Sequence, residues 1–353
     1  MRRLFALLAA SGVALGALAD GYPPVRPGVA VRLPADAGAH PEFRTEWWYV
    51  TGWLTTPDGA PLGFQVTFFR SRPTLASGNP SRFATGQVLI AHAAISDPRR
   101  GRLWHDQRIA RAGFGLAEAA IDRTEVAIRD WSLVSEHGAL HASVPAEGFA
   151  LDLTFEPQAV LLNGVDGYSR KGPAPESASY YYSLPGLAVH GTVRRGAVVT
   201  AVSGRGWLDH EWSSAPLDAD SVGWDWVGLN LEDGGALMAF RIRDAHGAVR
   251  WAGGTRRWAD GRVEALAPDA VSFVPGRRWR SPRTAITYPI EWRLVAGDTT
   301  LDLSPLMDDQ ESDSRQSTGA VYWEGAVTAT AAGRVAGRGY LELTGYGDPL
   351  RLR

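Results

Sequence analysis

The stretch Gly204-Arg205-Gly206-Trp207-Leu208-Asp209 recurs late in the chain as Gly337-Arg338-Gly339-Tyr340-Leu341-Glu342. Each copy is preceded by a second match, Gly191-Thr192-Val193 in one case and Gly325-Ala326-Val327 in the other. The two spacings differ by one residue, as a single hairpin-loop insertion would produce. Further out, Trp47-Trp48-Tyr49-Val50 with Leu54 resembles Trp224-Asp225-Trp226-Val227 with Leu231. Each half therefore opens on an aromatic-rich strand and closes on a Gly-Arg-Gly-aromatic strand, the mark of an internal repeat. Two copies of a β-unit predict two barrels or sandwiches, roughly 40–215 and 216–353. A closed barrel removes exposed edges and can enclose one small ligand.

The rest of the chain agrees. Short apolar, β-branched and aromatic runs alternate with turn dipeptides, and Trp47–Leu54, Pro57-Asp58-Gly59 and Gly63–Phe69 form a hairpin signature. Helical periodicity is expected only near Leu116–Ile121. The 353 residues hold 40 Gly and 22 Pro, which favours many turns and hence strands. Tryptophan, at 14, outnumbers phenylalanine and tyrosine, which suits wide apolar linings as well as cores.

Composition excludes several functions. With 36 basic and 38 acidic residues there is no cationic excess to neutralise phosphates, so no nucleic-acid partner is expected. Positive charge is almost all arginine; Lys171 is the single lysine, a skew that reads as genome composition. Zero cysteines rule out thiol nucleophiles, iron–sulfur clusters and disulfides. No metal or cofactor is expected. His137 and His141 sit on alternating sequence, too far apart along a strand to share an ion, and Asp308, Asp309, Glu311 and Asp313 read as a solvated acidic turn.

At the N-terminus, Arg2 and Arg3 precede the apolar stretch Leu4–Leu18, and Ala17-Leu18-Ala19 supplies a small-x-small cleavage pattern. Residues 1–19 are expected to be a signal peptide cut after Ala19. A Pro-rich lead over 20–39 follows, and the mature protein is expected to be periplasmic or secreted.

Catalytic candidates centre on Asp209-His210-Glu211-Trp212 and on Trp224-Asp225-Trp226. The second copy of the repeat has Glu342-Leu343-Thr344-Gly345 where the first has its His and second acid, so His210 answers no strand requirement. On a strand, His210 and Trp212 share one face while Asp209 and Glu211 share the other. Asp225 stands between two tryptophans where the first copy has Trp48. A carboxyl in an apolar setting has its pKa raised and can act as a general acid. Glu46 would share a face with Trp48, and His92 and Glu324 each interrupt an apolar strand. Asp225 and His210 are expected to face one cavity walled by Trp212.

Glu46-Trp-Trp-Tyr49, Gly63-Phe-Gln65, Ala91-His92, Gly206-Trp-Leu-Asp-His210, Gly223-Trp-Asp-Trp226, Tyr322-Trp-Glu-Gly325 and Gly339-Tyr-Leu-Glu-Leu-Thr-Gly345 together resemble the AttH-like group. That group includes hydroxyneurosporene synthase, a carotenoid 1,2-hydratase. The resemblance implies an all-β fold of two tandem lipocalin-like β-barrel domains packed together, with a ligand site near their junction. It also implies cofactor-free hydration of a terminal isoprenoid double bond. It makes His210 and Trp212 the active-site His-x-Trp and aligns Asp225 with the catalytic acid. Such chemistry needs a neutral carboxyl to protonate one alkene carbon, aromatic faces to stabilise the tertiary cation, and a positioned water. Asp225, His210 and Glu46 are the catalytic candidates. Trp212, Trp224, Trp48, Tyr49, His92, Glu211 and Glu324 are the pocket candidates.

Three readings stay open at this point. The chain is a hydratase acting on an apolar isoprenoid or lipid-like molecule, a non-catalytic periplasmic carrier of such a molecule, or an attachment or envelope-assembly protein. Export from the cytoplasm departs from the carotenoid setting and keeps the carrier, and a peripheral membrane or transporter association, in play.

Overall fold

The computed structural model describes residues 21–73, 81 and 83–350; the expected signal peptide lies outside the described residues. The first sheet contains β1 (Thr45–Thr55), β2 (Pro61–Ser71), β3 (Val88–Ser96), β4 (Trp104–Arg111), β5 (Ala117–Ala119), β6 (Glu125–Ile128), β7 (Trp131–Glu136), β8 (Ala139–Pro145), β9 (Phe149–Glu156), β10 (Leu161–Leu162), β11 (Tyr168–Arg170), β12 (Ala178–Arg195) and β13 (Val198–Ser213). Its order is β4-β3-β2-β1-β13-β12-β9-β8-β7-β6-β5, with β10 and β11 against β12. Strands β3 and β4 pack against β6, so the sheet curls into a nearly closed barrel. The helical expectation near Leu116–Ile121 is corrected: Ala117–Ala119 pairs with β6, because tertiary pairing overrides a short periodic pattern.

The second sheet contains β14 (Ser221–Leu231), β15 (Ala236–Asp244), β16 (Val249–Arg257), β17 (Val263–Leu266), β18 (Val271–Pro275), β21 (Trp292–Ala296), β22 (Thr299–Pro305), β23 (Glu311–Ser314), β24 (Ala320–Ala331) and β25 (Arg334–Leu343), while β19 (Arg278–Arg280) and β20 (Thr287–Pro289) form a separate hairpin. Its order, β17-β16-β15-β14-β25-β24-β22-β21-β18, follows the first sheet's path from β4 to β7, and β6 and β5 have no counterpart on it. In both, the opening strand pairs with the closing one, and the register agrees: Tyr49 lies opposite Asp209, and Trp226 opposite Glu342. The repeated glycines are demanded by packing. A Cβ on Gly204 would sit 1.9 Å from the Trp53 carbonyl oxygen, and one on Gly339 would sit 1.8 Å from that of Gly228.

Three apolar clusters result. Trp48, Phe64, Phe68, Trp131 and Trp212 fill the first barrel, where Val25 and Val31 of the Pro-rich lead join them. Leu229, Trp292, Trp323 and Leu341 fill the second sheet's concave side. Tyr49, Tyr181, Trp207, Trp226, Phe240 and Tyr340 form the seam between the two. The four strands β1, β13, β14 and β25 are thus covered on both faces, which places polar residues of either face out of bulk water. No helix among the described residues is long and apolar enough to cross a membrane.

Candidate functional site

Alternation along these four strands sorts the candidate side chains into three places. Glu46 and Trp48 of β1, with His210 and Trp212 of β13, point into the first barrel. Trp47, Tyr49, Asp209 and Glu211 point the other way, into the seam. On β14 the same alternation sends Trp224 and Trp226 to the seam and Asp225 into the second sheet's interior. The expectation that Asp225 and His210 share one cavity is therefore corrected: they occupy the interiors of different units.

Inside the first barrel, Glu46 is enclosed by donors. Arg70 Nε lies 2.7 Å from its Oε2, His40 donates its backbone N–H at 2.9 Å, and the rings of His40 (Nδ1) and His210 (Nε2) each lie 2.8 Å from Oε1. Burial alone would push the carboxyl up, but the hydrogen bonds from His210 and His40 and the Arg70 charge hold it well below the usual carboxylate range. His210 is pushed below its ordinary value by burial, against the pull of Glu46. It is thus a neutral imidazole, giving its Nε2 proton to Glu46 and accepting from the Tyr182 hydroxyl at Nδ1, 3.1 Å away. Trp212 stacks on His40 with ring centroids 3.8 Å apart, and Trp48 stacks on His210 at 4.7 Å.

His40, Glu46 and His210 are also the group with metal-ligand spacing among the described residues, their ligand atoms lying within 4.8 Å of one another. Arg70 already holds the second carboxylate oxygen, and both ring nitrogens already donate to the first. A cation there would replace the two ring protons on Oε1 and stand beside the Arg70 charge on Oε2; in this structure the group is a closed hydrogen-bond network.

Asp225 is likewise caged. Arg241 Nε and Arg243 Nε reach its Oδ2 at 2.6 and 3.0 Å, and the Tyr346 hydroxyl donates to Oδ1 at 2.9 Å. Both carboxyl oxygens are already taken by two guanidiniums and a phenol, and Asp225 does not line the seam cavity, so the proton-donor role expected of it falls away on geometry. The acidic stretch Asp308–Asp313 is solvated in part: the side chains of Asp308 and Asp313 are partly exposed and paired with Arg277 and Arg315, whereas Asp309 is clasped by Arg283 and Glu311 is buried.

The seam holds a cavity enclosing about 90 Å³ of free space. Trp47, Tyr49, Trp224, Trp226, Phe240 and Tyr322 wall it, Pro216 and Leu217 of the connecting segment rim it, and Asp209, Glu211, Glu324, Glu342 and Lys171 supply its polar groups. Four carboxyls in an aromatic cavity cannot all be ionised. Burial pushes Asp209 up to about 7, despite hydrogen bonds from Ser183, Tyr181 and Trp207 at 2.5 to 2.6 Å. Glu342 is also pushed up to about 7 by burial, while Trp224 Nε1 donates to it at 2.9 Å. Glu324 stands directly opposite Glu342 across the β24–β25 ladder, and burial plus that neighbour raise it well above the ordinary value. Neither Glu324 oxygen has a well-formed hydrogen bond to any described residue.

The seam has pseudo-twofold symmetry. Trp53 Nε1 donates to the Gly339 carbonyl at 2.9 Å, and Asn230, at the matching place on β14, donates to the Gly206 carbonyl at 2.9 Å. Tyr49 and Trp226, also matching positions, meet edge to face. Asp209 and Glu342 are matching positions too. The symmetry breaks at the residue facing each acid: Ser183, a donor, faces Asp209, whereas Glu324, another acid, faces Glu342.

His92 lies between the two units. Its Nδ1 meets the Tyr322 hydroxyl at 2.6 Å and its Nε2 meets Ser317 Oγ at 2.8 Å, and burial, then His105, drives its pKa well below the usual value. It holds the cavity wall through Tyr322 and does not itself line the cavity. Of the sequence candidates, Tyr49, Glu211, Trp224 and Glu324 line the seam cavity; Glu46, Trp48, His210, Trp212 and Asp225 do not. Sequence reasoning passed over Glu342 and Lys171 as site residues and left Asp209, inside its candidate stretch, without a role.

A family model described as AttH-like matches residues 24–346. The chain belongs to the AttH-like family. A crystal structure assigned as an AttH from Nitrosomonas europaea is 52% identical, with a TM-score of 0.87 over 92% of this chain and 99% of that one. Kievitone hydratase from Nectria haematococca matches with a TM-score of 0.70 at 15% identity, over 92% of this chain and 96% of that one. CghA matches with a TM-score of 0.51 at 13% identity, over 93% and 97% of the two chains. At those identities the last two show the AttH-like chain's fold alone. No curated protein matches it.

Proposed function

We propose that this AttH-like protein hydrates the terminal double bond of an isoprenoid-like chain held at the seam. The observation that carries this reading is Glu324, buried opposite Glu342 with no well-formed hydrogen bond to either oxygen, in a cavity walled by indole and phenol rings, a setting that favours its protonated form. Glu324 gives its proton to one alkene carbon, leaving a tertiary cation on the other. The faces of Trp47, Trp224 and Trp226 and the Glu342 carboxylate stabilise that cation. Water adds to it, and the surplus proton returns to the carboxyl pair. Nothing else is consumed. The cavity's small volume suits a chain end and a water, with the remainder of the chain leaving past Pro216 and Leu217. The relation in fold to a kievitone hydratase agrees with water addition as the reaction class.

The test is incubation with a panel of acyclic isoprenoids, the hydrocarbon lycopene and the alcohol geraniol among them, in ¹⁸O-water, followed by mass analysis. Glu324→Gln keeps shape but removes the proton donor, so label incorporation is expected to fall by about 10²-fold or more. Equal incorporation by wild type and Glu324→Gln would remove Glu324 from the mechanism. A co-purifying lipid with no incorporation across the panel would assign the cavity to a carrier. We also propose export, on the strength of residues 1–19; intact mass of the periplasmic protein is expected to begin at Asp20, and retention of Met1–Ala19 would refute it.

A further inference from the structure

The chain carries 36 basic residues and a single lysine, and that lysine sits in the seam cavity. Lys171 follows β11, and its ammonium lies 3.0 Å from Glu211 Oε1 and 3.2 Å from Ser169 Oγ. Two aromatic faces flank it: the ring centroids of Phe240 and Tyr181 lie 4.3 and 4.7 Å from Nζ. Its side chain is only 9% exposed and that of Glu211 only 6%.

We propose that the ligand of this cavity is an oxygenated apolar molecule, and that its hydroxyl or carbonyl oxygen docks on the Lys171–Glu211 pair. The inference rests on the cavity being the functional site, and it narrows the substrate from any isoprenoid to one bearing an oxygen. The argument is one of desolvation. A ligand filling the cavity closes off the small solvent exposure this ion pair retains, 9% for Lys171 and 6% for Glu211. A pure hydrocarbon offers nothing in exchange, so a buried charge is left poorly solvated, which is costly. An oxygen accepting from the ammonium, or a hydroxyl also donating to Glu211, replaces what the water gave. Sites built with buried polar groups reject analogues that lack the matching atom by large factors.

The compact ammonium suits this position. It presents three rotatable donors on a narrow stem: one serves Ser169, and the others can turn to a ligand oxygen while the charge stays 3.0 Å from Glu211 Oε1, an oxygen with no well-formed hydrogen bond among the described residues. A planar guanidinium, used for every other cation of the chain, would fill the space the ligand oxygen needs.

The experiment compares geraniol with myrcene, two ten-carbon acyclic isoprenoids of which only the first carries oxygen. Binding is read by quenching of tryptophan fluorescence, since Trp47, Trp224 and Trp226 line the cavity. Lys171→Met alone leaves Glu211 buried without its partner and can fail to fold, so the paired variant Lys171→Met/Glu211→Gln is made beside it; removing both charges avoids the unpaired ion. In the paired variant geraniol binding is expected to weaken and myrcene binding to tighten, shifting the ratio of the two dissociation constants by about 10-fold or more. Lys171→Arg is expected to weaken geraniol as well. An unchanged ratio in the paired variant, or unchanged geraniol binding in Lys171→Arg, overturns the proposal. Because binding is the readout, a protein that binds geraniol through Lys171 yet incorporates no ¹⁸O would break the hydratase reading and leave this inference standing. Quenching by neither probe overturns both.

Discussion

Glu46 and Glu324 are both glutamates, both almost fully buried, and they settle on opposite sides of neutrality. Glu46, inside the first barrel, collects an arginine, two imidazoles and a backbone amide, and stays a carboxylate. Glu324, in the seam, faces another acid and has no good donor, and stays a carboxylic acid. Between them lie Asp209, with three neutral donors, and Glu342, with one, both near 7. Burial raises all four. What separates them is the supply of donors, and above all whether a donor is charged. One fold thus keeps a fixed structural charge and a movable proton on the two sides of one barrel wall.

The largest expected effect tests the structural end of this series. Glu46→Gln leaves Arg70 buried with no counter-charge and is expected to cost about 3–5 kcal/mol of stability, measured by urea unfolding at pH 7. Adding Arg70→Met should recover much of the loss. Because the Glu46 pKa is depressed, its contribution is fully present above its unfolded value of about 4.5 and is lost as pH falls toward the lower folded value. A Glu46→Gln protein as stable as wild type at pH 7 would break the contrast with Glu324 outright.

Glu342 tests the other end, with the opposite sign. Its folded pKa, near 7, exceeds the ordinary 4.5, so the folded state holds a proton that the unfolded state has released. Wild-type stability is therefore expected to fall as pH rises from 4.5 to 7 on this account. Glu342→Gln removes that dependence. It should stabilise the protein by about 1–3 kcal/mol at pH 8 and make no difference at pH 4. Thermal melts at the two pH values check this, and destabilisation at pH 8 would show that Glu342 is ionised and satisfied after all.

The sequence carried much of this frame. The Gly-Arg-Gly repeat was enough to place β13 and β25 at matching positions, and alternation was enough to pair His210 with Trp212 and Asp209 with Glu211. It could not say which face was interior. When the two units pack through strands in the middle of their sheets, both faces of β1, β13, β14 and β25 read as apolar, so hydrophobic alternation no longer marks the inside. That is why Asp225 was expected beside His210. Arg241 and Arg243, its partners, come from the neighbouring strand and announce nothing in one dimension. Asp209 and Glu342 are alike in both copies, so comparing the repeats gives neither a role, whereas His210 stands out because its counterpart is Leu343. Lys171 was visible as a singular residue and was read as composition alone.

The smallest expected effect asks whether single hydrogen bonds tune the series. Trp224 donates its indole N–H to Glu342, a bond that lowers the Glu342 pKa. Trp224→Phe keeps a ring in the wall and removes that donor, so the titration midpoint of Glu342 should rise by about one pH unit, the worth of one hydrogen bond to a charged group. The readout is the carboxyl ¹³C shift of Glu342 between pH 5 and pH 9, assigned by its loss in Glu342→Gln. Trp212→Phe is the matched control. Trp212 lies on the other side of β13, with its ring against His40 and no contact to Glu342. That substitution should cost about 1 kcal/mol in packing and leave the midpoint where it is. A shift in both variants would mean that the seam carboxyls respond to the field of the whole interior, and the donor series from Glu46 to Glu324 would lose its local explanation. A shift in Trp224→Phe alone would place control of the seam proton in the indole that faces it.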